Sequence, residues 1–187
     1  GFPSVPPATE IEIDGIISEN EWTTKVASKP LNGSGNFKPS IYYYHNNILD
    51  PDTYVDVWAA YDQDFVYVAA KFNRARFGLE SGNSAFEAVC TFQSEAPEDY
   101  RNYVFNVTAL SESGDSGDFV VYQGLNNPPI EADVTYDDFT DAGGEMDYRV
   151  VDANEVSVEM KIPLALMPEF SGTAVCGENL NMQFNVT

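Results

Sequence analysis

The chain is predicted to be all-β: a two-sheet antiparallel β-sandwich of jelly-roll or immunoglobulin-like architecture, with acidic loops and at most one or two short helical turns. Three observations predict it. Apolar and polar residues alternate in short runs, most cleanly in EVSVEMKI (155–162) and LNMQFNV (180–186). Acidic segments rich in Gly, Ser and Asn, namely SEAPEDYRN, SESGDSGD and YDDFTDAGGEMD, separate such runs and read as surface loops. No apolar repeat of about 3.6 residues is sustained for long, so no extended amphipathic helix is expected.

At 187 residues the chain fits one domain, the usual size being about 150. Residues 1–9, GFPSVPPAT, carry three prolines. Proline cannot donate to a ladder, so this stretch reads as an extended arm, with a single domain over 10–187.

The stretch YVDVWAAYDQDFVYVAAKF (54–72) tests its own register as a hairpin. A turn at Asp62–Asp64 would pair Tyr61 with Phe65 and put Lys71 on the face of Val55 and Val57, burying a charge. A loop over Asp62–Phe65 instead pairs Tyr61 with Val66, Ala59 with Val68, Val57 with Ala70 and Val55 with Phe72, all apolar. A one-residue slip exchanges the faces, so the second register is predicted. It sets Asp56 opposite Lys71 as a cross-strand ion pair and turns Trp58 to the non-core face beside Ala60, Ala69 and Tyr67. Small neighbours leave the flat indole open to stack on a sugar ring. Cover by a loop, the arm or another subunit is the other reading.

Further strands are predicted at Phe86–Phe92, Tyr103–Leu110 and Phe119–Tyr122. In 155–162, Val156, Val158, Met160 and Ile162 form a core face, and Glu155, Ser157, Glu159 and Lys161 a wet one. Pro163 ends that ladder, and PLALM after it reads as a short helical turn. In the last strand Leu180, Met182, Phe184 and Val186 share one face, and Asn181, Gln183 and Asn185 make the other all amide.

Thirty Asp and Glu against nine Lys and Arg leave a net charge of −21. Such a field repels phosphate backbones and anionic headgroups, so neither nucleic acid nor a membrane surface is an expected partner. Divalent cations and neutral ligands are favoured. An acidic solvated surface suited to a salty or extracellular habitat is the plainer account. Hydrophobic residues at 43% and aromatics at 13% are enough for a core. No run approaches the roughly 18 apolar residues of a membrane span. Sequons at Asn32, Asn106 and Asn185 point to an extracellular or cell-surface protein. Cys90 and Cys176 are the two cysteines, enough for one disulfide, with two free core thiols as the alternative.

The order and spacing of IEIDGIISENEW (11–22), AAYDQDFVYVAAKF, SVEMKIPLALM and NLNMQFNV resemble family 9 carbohydrate-binding modules and the wider DOMON-like sandwiches, over most of the chain. The resemblance implies a non-catalytic sandwich that grips sugar between tryptophans, with Glu, Gln, Asn and Arg on the hydroxyls. The acid corresponds to Glu87 and the glutamine to Gln183, beside Asn181. A stacking tryptophan of the family falls near Ser81 and its arginine near Val104, so neither is kept. The family continues past the late strand into a closing strand, whereas the sequence stops at Thr187. An unpaired edge is therefore expected there, filled by the arm of the same chain or of a neighbouring copy.

His45 is the only histidine, which leaves Ser-His-Asp and Cys-His mechanisms resting on one loop residue, and no enzyme activity is expected. Some DOMON-like domains hold b-type haem between a methionine and a histidine or lysine. Met146, Met160, Met167 and Met182 are available for that with His45, but Met160 and Met182 fall on core faces, where Met is usually filler. Calcium is the expected ion: DPDTYVD offers Asp50, Asp52 and Asp56, and YDDFTD offers Asp137, Asp138 and Asp141. No organic cofactor is expected. The resulting expectation is a secreted, non-catalytic glycan-binding module with Trp58, Tyr67, Glu87, Gln183 and Asn181 as ligand residues. The first alternative is a structural subunit of a filament or surface layer assembled by strand addition, and the second is a b-type haem domain.

Overall fold

The computed structural model describes residues 10–23, 25–28, 40–43, 55–73, 83–92, 101–110, 117–123, 136–151, 155–168 and 181–186. The arm (1–9), Asn32, His45, Asp50, Asp52 and Cys176 lie outside these residues.

Strand β1 (Lys25–Ser28) and β2 (Ser40–Tyr43) precede the hairpin of β3 (Val55–Tyr61) and β4 (Phe65–Asn73). Then come β5 (Asn83–Phe92), β6 (Arg101–Leu110), β7 (Gly117–Gln123), the short helix α1 (Tyr136–Asp141), β8 (Glu145–Val150), β9 (Glu155–Pro163) and β10 (Asn181–Val186). They form two five-stranded sheets, ordered β1-β3-β4-β9-β8 and β2-β10-β5-β6-β7. All pairings are antiparallel except β10 with β2, which is parallel. The described residues make an all-β protein, with almost no helix among them.

One buried cluster draws on both sheets. Val57, Val68, Phe72, Val158, Met160 and Ile162 come from the first and Phe86, Cys90, Phe105, Met182 and Phe184 from the second. Phe72 stacks on Phe86 at 6.2 Å between centroids, and Phe86 on Phe184 at 6.0 Å, so aromatic rings tie the two sheets together.

The hairpin adopts the predicted register pair for pair, from Tyr61 with Val66 to Val55 with Phe72, and Asp56 stands opposite Lys71. Asp62 shapes the turn: its Oδ1 accepts the N–H groups of Asp64 and Phe65 at 2.9 and 2.8 Å. The ion pair that Asp56 forms in the structure is with Lys25 of β1, at 3.2 Å, where the sequence reading expected Lys71. After Pro163, a 3₁₀ turn over Leu164–Leu166 matches the expected helical turn. The Leu164 N–H bonds the Asp64 carbonyl at 2.9 Å, so this turn also braces the hairpin loop.

Three expectations are corrected. The face of β9 expected to be wet is closed: Ser157 is 3% and Glu159 0% exposed, because residues 10–22 lie over it. The segment YDDFTDAGGEMD is not a loop but α1 followed by the start of β8. Its acidic residues hide an anchor, Phe139, which is fully buried with its ring 5.8 Å from Phe105 and 5.5 Å from Tyr136. Gly143 at φ +93° ends the helix in the left-handed conformation that glycine adopts most readily. Finally, β10 is not an edge, because β2 of the same chain pairs along it from Ser40 to Tyr43.

Candidate functional site

Residues 10–22 form a strap across the outer face of the first sheet. Trp22, Ala60, Tyr67 and Ala69 are buried together there, with Ile11, Ile13, Ile17, Trp58 and Phe65 packed around them. Ala60 and Ala69 are small enough for the strap to approach the sheet closely. The strap is fixed through a single acid. Glu159 accepts the N–H groups of Asp14 at 3.0 Å and Gly15 at 2.8 Å on one oxygen, and the Trp22 indole N–H at 2.7 Å on the other. Ser157 donates its hydroxyl to the Gly15 carbonyl.

Gly15 is required at this point. Its φ is +80°, and a Cβ would sit 2.8 Å from the Tyr148 carbonyl carbon. The following turn is local: the Asp14 carboxylate accepts the Ile16 N–H at 2.8 Å, and the Trp22 N–H bonds the Ser18 carbonyl at 2.9 Å. Burial pushes Glu159 up to about 8, helped by the Asp14 carboxylate, against the N–H donors, which pull it down.

The strap decides the fate of the expected stacking platform. Tyr67 is buried and its hydroxyl donates to Asp62 at 2.6 Å. Burial first, and then the Asp62 carboxylate, push that hydroxyl well above the usual tyrosine range. Trp58 is half-buried under the strap, with the Lys25 ammonium 5.3 Å from its ring centroid. The covered reading of this tryptophan, rather than the open one, describes the face.

The other expected ligand residues belong to the second sheet. Glu87 on β5 is half-buried and stands in register between Asn106 of β6 and Asn185 of β10. Gln183 pairs with Val89 on one side and Ser40 on the other, and Asn181 pairs with Thr91. All these positions alternate with the buried Phe86, Ala88, Cys90, Met182 and Phe184, so they share the sheet face turned away from the core. The positions of Glu87, Gln183 and Asn181 thus lie on one sheet, spread along β5 and β10, and those of Trp58 and Tyr67 on the other. Asn106 belongs to the same row, and its Oδ1 is buried with no hydrogen-bond partner.

The remaining candidates are dispersed. Asp137 and Asp138 lie in the first turn of α1 and Asp141 ends it. Among the described residues no three His, Cys, Asp or Glu side chains are grouped to hold a metal. Cys90 is a free, fully buried thiol between Tyr103 and Met182 in register, not half of a disulfide, and burial pushes it up to about 12. Of the sequon asparagines, Asn106 and Asn185 lie within β6 and β10. Met160, Met167 and Met182 are buried in the core and Met146 packs against it. No helix among the described residues is long and apolar enough to cross a membrane.

Sequence reasoning missed Glu159 because alternation marks a polar residue as outward and cannot register a second layer. The signal that could have found it is the pairing of Asp14-Gly15 and Trp22 with two alanines on the opposite strands. It missed Asn106 as a ligand candidate because its place beside Glu87 depends on a pairing between strands.

No family model matches the chain, and no curated protein or solved structure matches it.

Proposed function

We propose that the two sheets form a sandwich and that the protein is a secreted, non-catalytic module that binds glycan on the outer face of β10, β5 and β6. The observation that carries this reading is the register: a carboxylate, Glu87, flanked across its strands by Asn106 and Asn185, with Gln183 and Asn181 further along β10. Amides supply both donors and acceptors and a carboxylate supplies acceptors, the complement that a ring of sugar hydroxyls requires. The net charge of −21 agrees with a neutral ligand, since it opposes an anionic one. The resemblance to family 9 modules supports the same two residues, Glu87 and Gln183.

The relevant sugar contacts therefore fall on the second sheet, and Trp58 is a control. Calorimetry with soluble oligosaccharides chosen from a glycan array tests this. Glu87→Ala and Gln183→Ala should each weaken binding by about tenfold or more, the scale of one or two lost hydrogen bonds to a polar ligand. Trp58→Ala should leave it within about twofold. Binding that depends on Trp58 and ignores Glu87 would move the site to the first sheet, and the absence of any bound glycan would reject the reading.

A further inference from the structure

The binding reading above makes no use of the carboxyl groups of Asp14 and Glu159, which meet where the strap is fastened. Glu159 is closed off from water, and all three N–H groups it accepts belong to the strap, from Asp14, Gly15 and Trp22. A carboxyl buried when the strap is down, and hydrated when it is up, has a different proton affinity in the two states. Docking and protonation are therefore linked.

Burial sets the direction, and the charge of Asp14 adds to it. From the strap, Asp14 presents a second carboxylate, which opposes ionisation of Glu159. From β8, Asp147 stands directly opposite Glu159 in register, with Glu145 and Arg149 two places to either side. From β4, Ala69 stands opposite, with Tyr67 and Lys71 at the diagonal positions. On β9 itself the neighbours on this face are Ser157 and Lys161. Lys161 is engaged elsewhere, 3.6 Å from the Glu145 carboxylate and 4.2 Å from the Phe65 ring centroid. The carboxylate that acts on Glu159 is thus Asp14, and the positions opposite Glu159 in register, Asp147 and Ala69, hold no cation.

We propose that residues 10–22 are a proton-controlled strap: they dock over Trp58 and Tyr67 while the enclosed Glu159 carboxyl holds a proton, and lift when it is ionised. In the docked form burial, helped by Asp14, outweighs the strap's N–H donors and holds Glu159 at about 8, against about 4.3 for a hydrated glutamate. A group raised on docking favours the docked form fully below its free value and loses that preference as pH rises through the docked one. The docking constant therefore falls by roughly tenfold per pH unit across that window. Lifting bares Trp58, Tyr67, Ala60 and Ala69, an aromatic face on the sheet opposite the proposed glycan site.

The chain carries two tryptophans, Trp22 in the strap and Trp58 beneath it, so intrinsic emission reports docking. Emission should shift to the red between about pH 5 and about pH 9 while far-UV circular dichroism stays constant, the sheets remaining intact. Glu159→Gln removes the titrating group, and its emission should not change with pH whether its strap is up or down. Asp14→Asn keeps the acceptor for Ile16 and removes one charge, so its red shift should move to higher pH or vanish. Constant wild-type emission, a shift that accompanies loss of β signal, or an unchanged titration in Glu159→Gln would each overturn the proposal. If Glu159→Gln lacks the β signal, an Asp14→Asn curve superimposing on the wild type overturns it equally. Neither substitution touches the face of Glu87, so loss of glycan binding is a separate result.

Discussion

At Gly15 the backbone lies against the Tyr148 carbonyl, with φ at +80° and 2.8 Å between that carbon and the place a Cβ would occupy. Gly15→Ala should therefore cost about 2 kcal/mol or more, from the left-handed conformation together with a collision with main chain that cannot swing away. Urea denaturation followed by circular dichroism measures it. A loss below about 0.5 kcal/mol would mean that the strap is not fastened through this turn. Glycine at 15 was legible only as part of the opening motif IEIDGIISENEW. Its contact was not, because β8 lies more than a hundred residues away in the chain. Glu159 shows the same limit from the other side: its position in VEMKIP correctly fixed the face, and only the layer above that face decided that an acid would be enclosed.

Among the elements, the β3–β4 hairpin was legible in full. Two amphipathic strands joined by a short acidic turn leave one register that keeps Lys71 off the core face, and that register is the one formed. Strands β5, β6, β7, β9 and β10 were likewise marked by alternation. Helix α1 was not, because Asp137, Asp138 and Asp141 give its six residues the composition of a loop while the buried Phe139, with Tyr136 packed beside it, holds it to the core. That dependence is testable. Phe139→Ala should destabilise the protein by about 3–5 kcal/mol, the cost of emptying a phenylalanine site in a packed interior. A smaller loss, near 1 kcal/mol in chemical denaturation, would indicate that α1 is an appendage and not part of the core. Strands β1 and β2 escaped detection for a different reason. Each is four residues long, too short for alternation to stand out, and β2 joins β10 in a parallel pairing between distant parts of the sequence.

For the molecule as a whole, the dominant quantity is the net charge of −21, which the fold compresses into a small volume. Two cation partnerships of the first sheet, Lys25 with Asp56 at 3.2 Å and Lys161 with Glu145 at 3.6 Å, involve partly exposed groups and offset little of it. Self-repulsion of this kind is relieved by screening, and the Debye length falls from about 30 Å at 0.01 M salt to about 3 Å at 1 M. The thermal midpoint should accordingly rise by several degrees as sodium chloride increases over that range, since about 1 kcal/mol shifts a domain of this size by roughly 2–4 °C. Screening depends on ionic strength alone, whereas a bound ion depends on identity. Calcium chloride matched in ionic strength to the sodium chloride series therefore separates the two. Coincident curves assign the effect to the diffuse charge of the surface, and an excess stabilisation that saturates with calcium assigns part of it to a carboxylate site. A midpoint that stays flat or falls with sodium chloride would mean that the acidic residues are already compensated in the folded state, and would remove self-repulsion from the account of this fold.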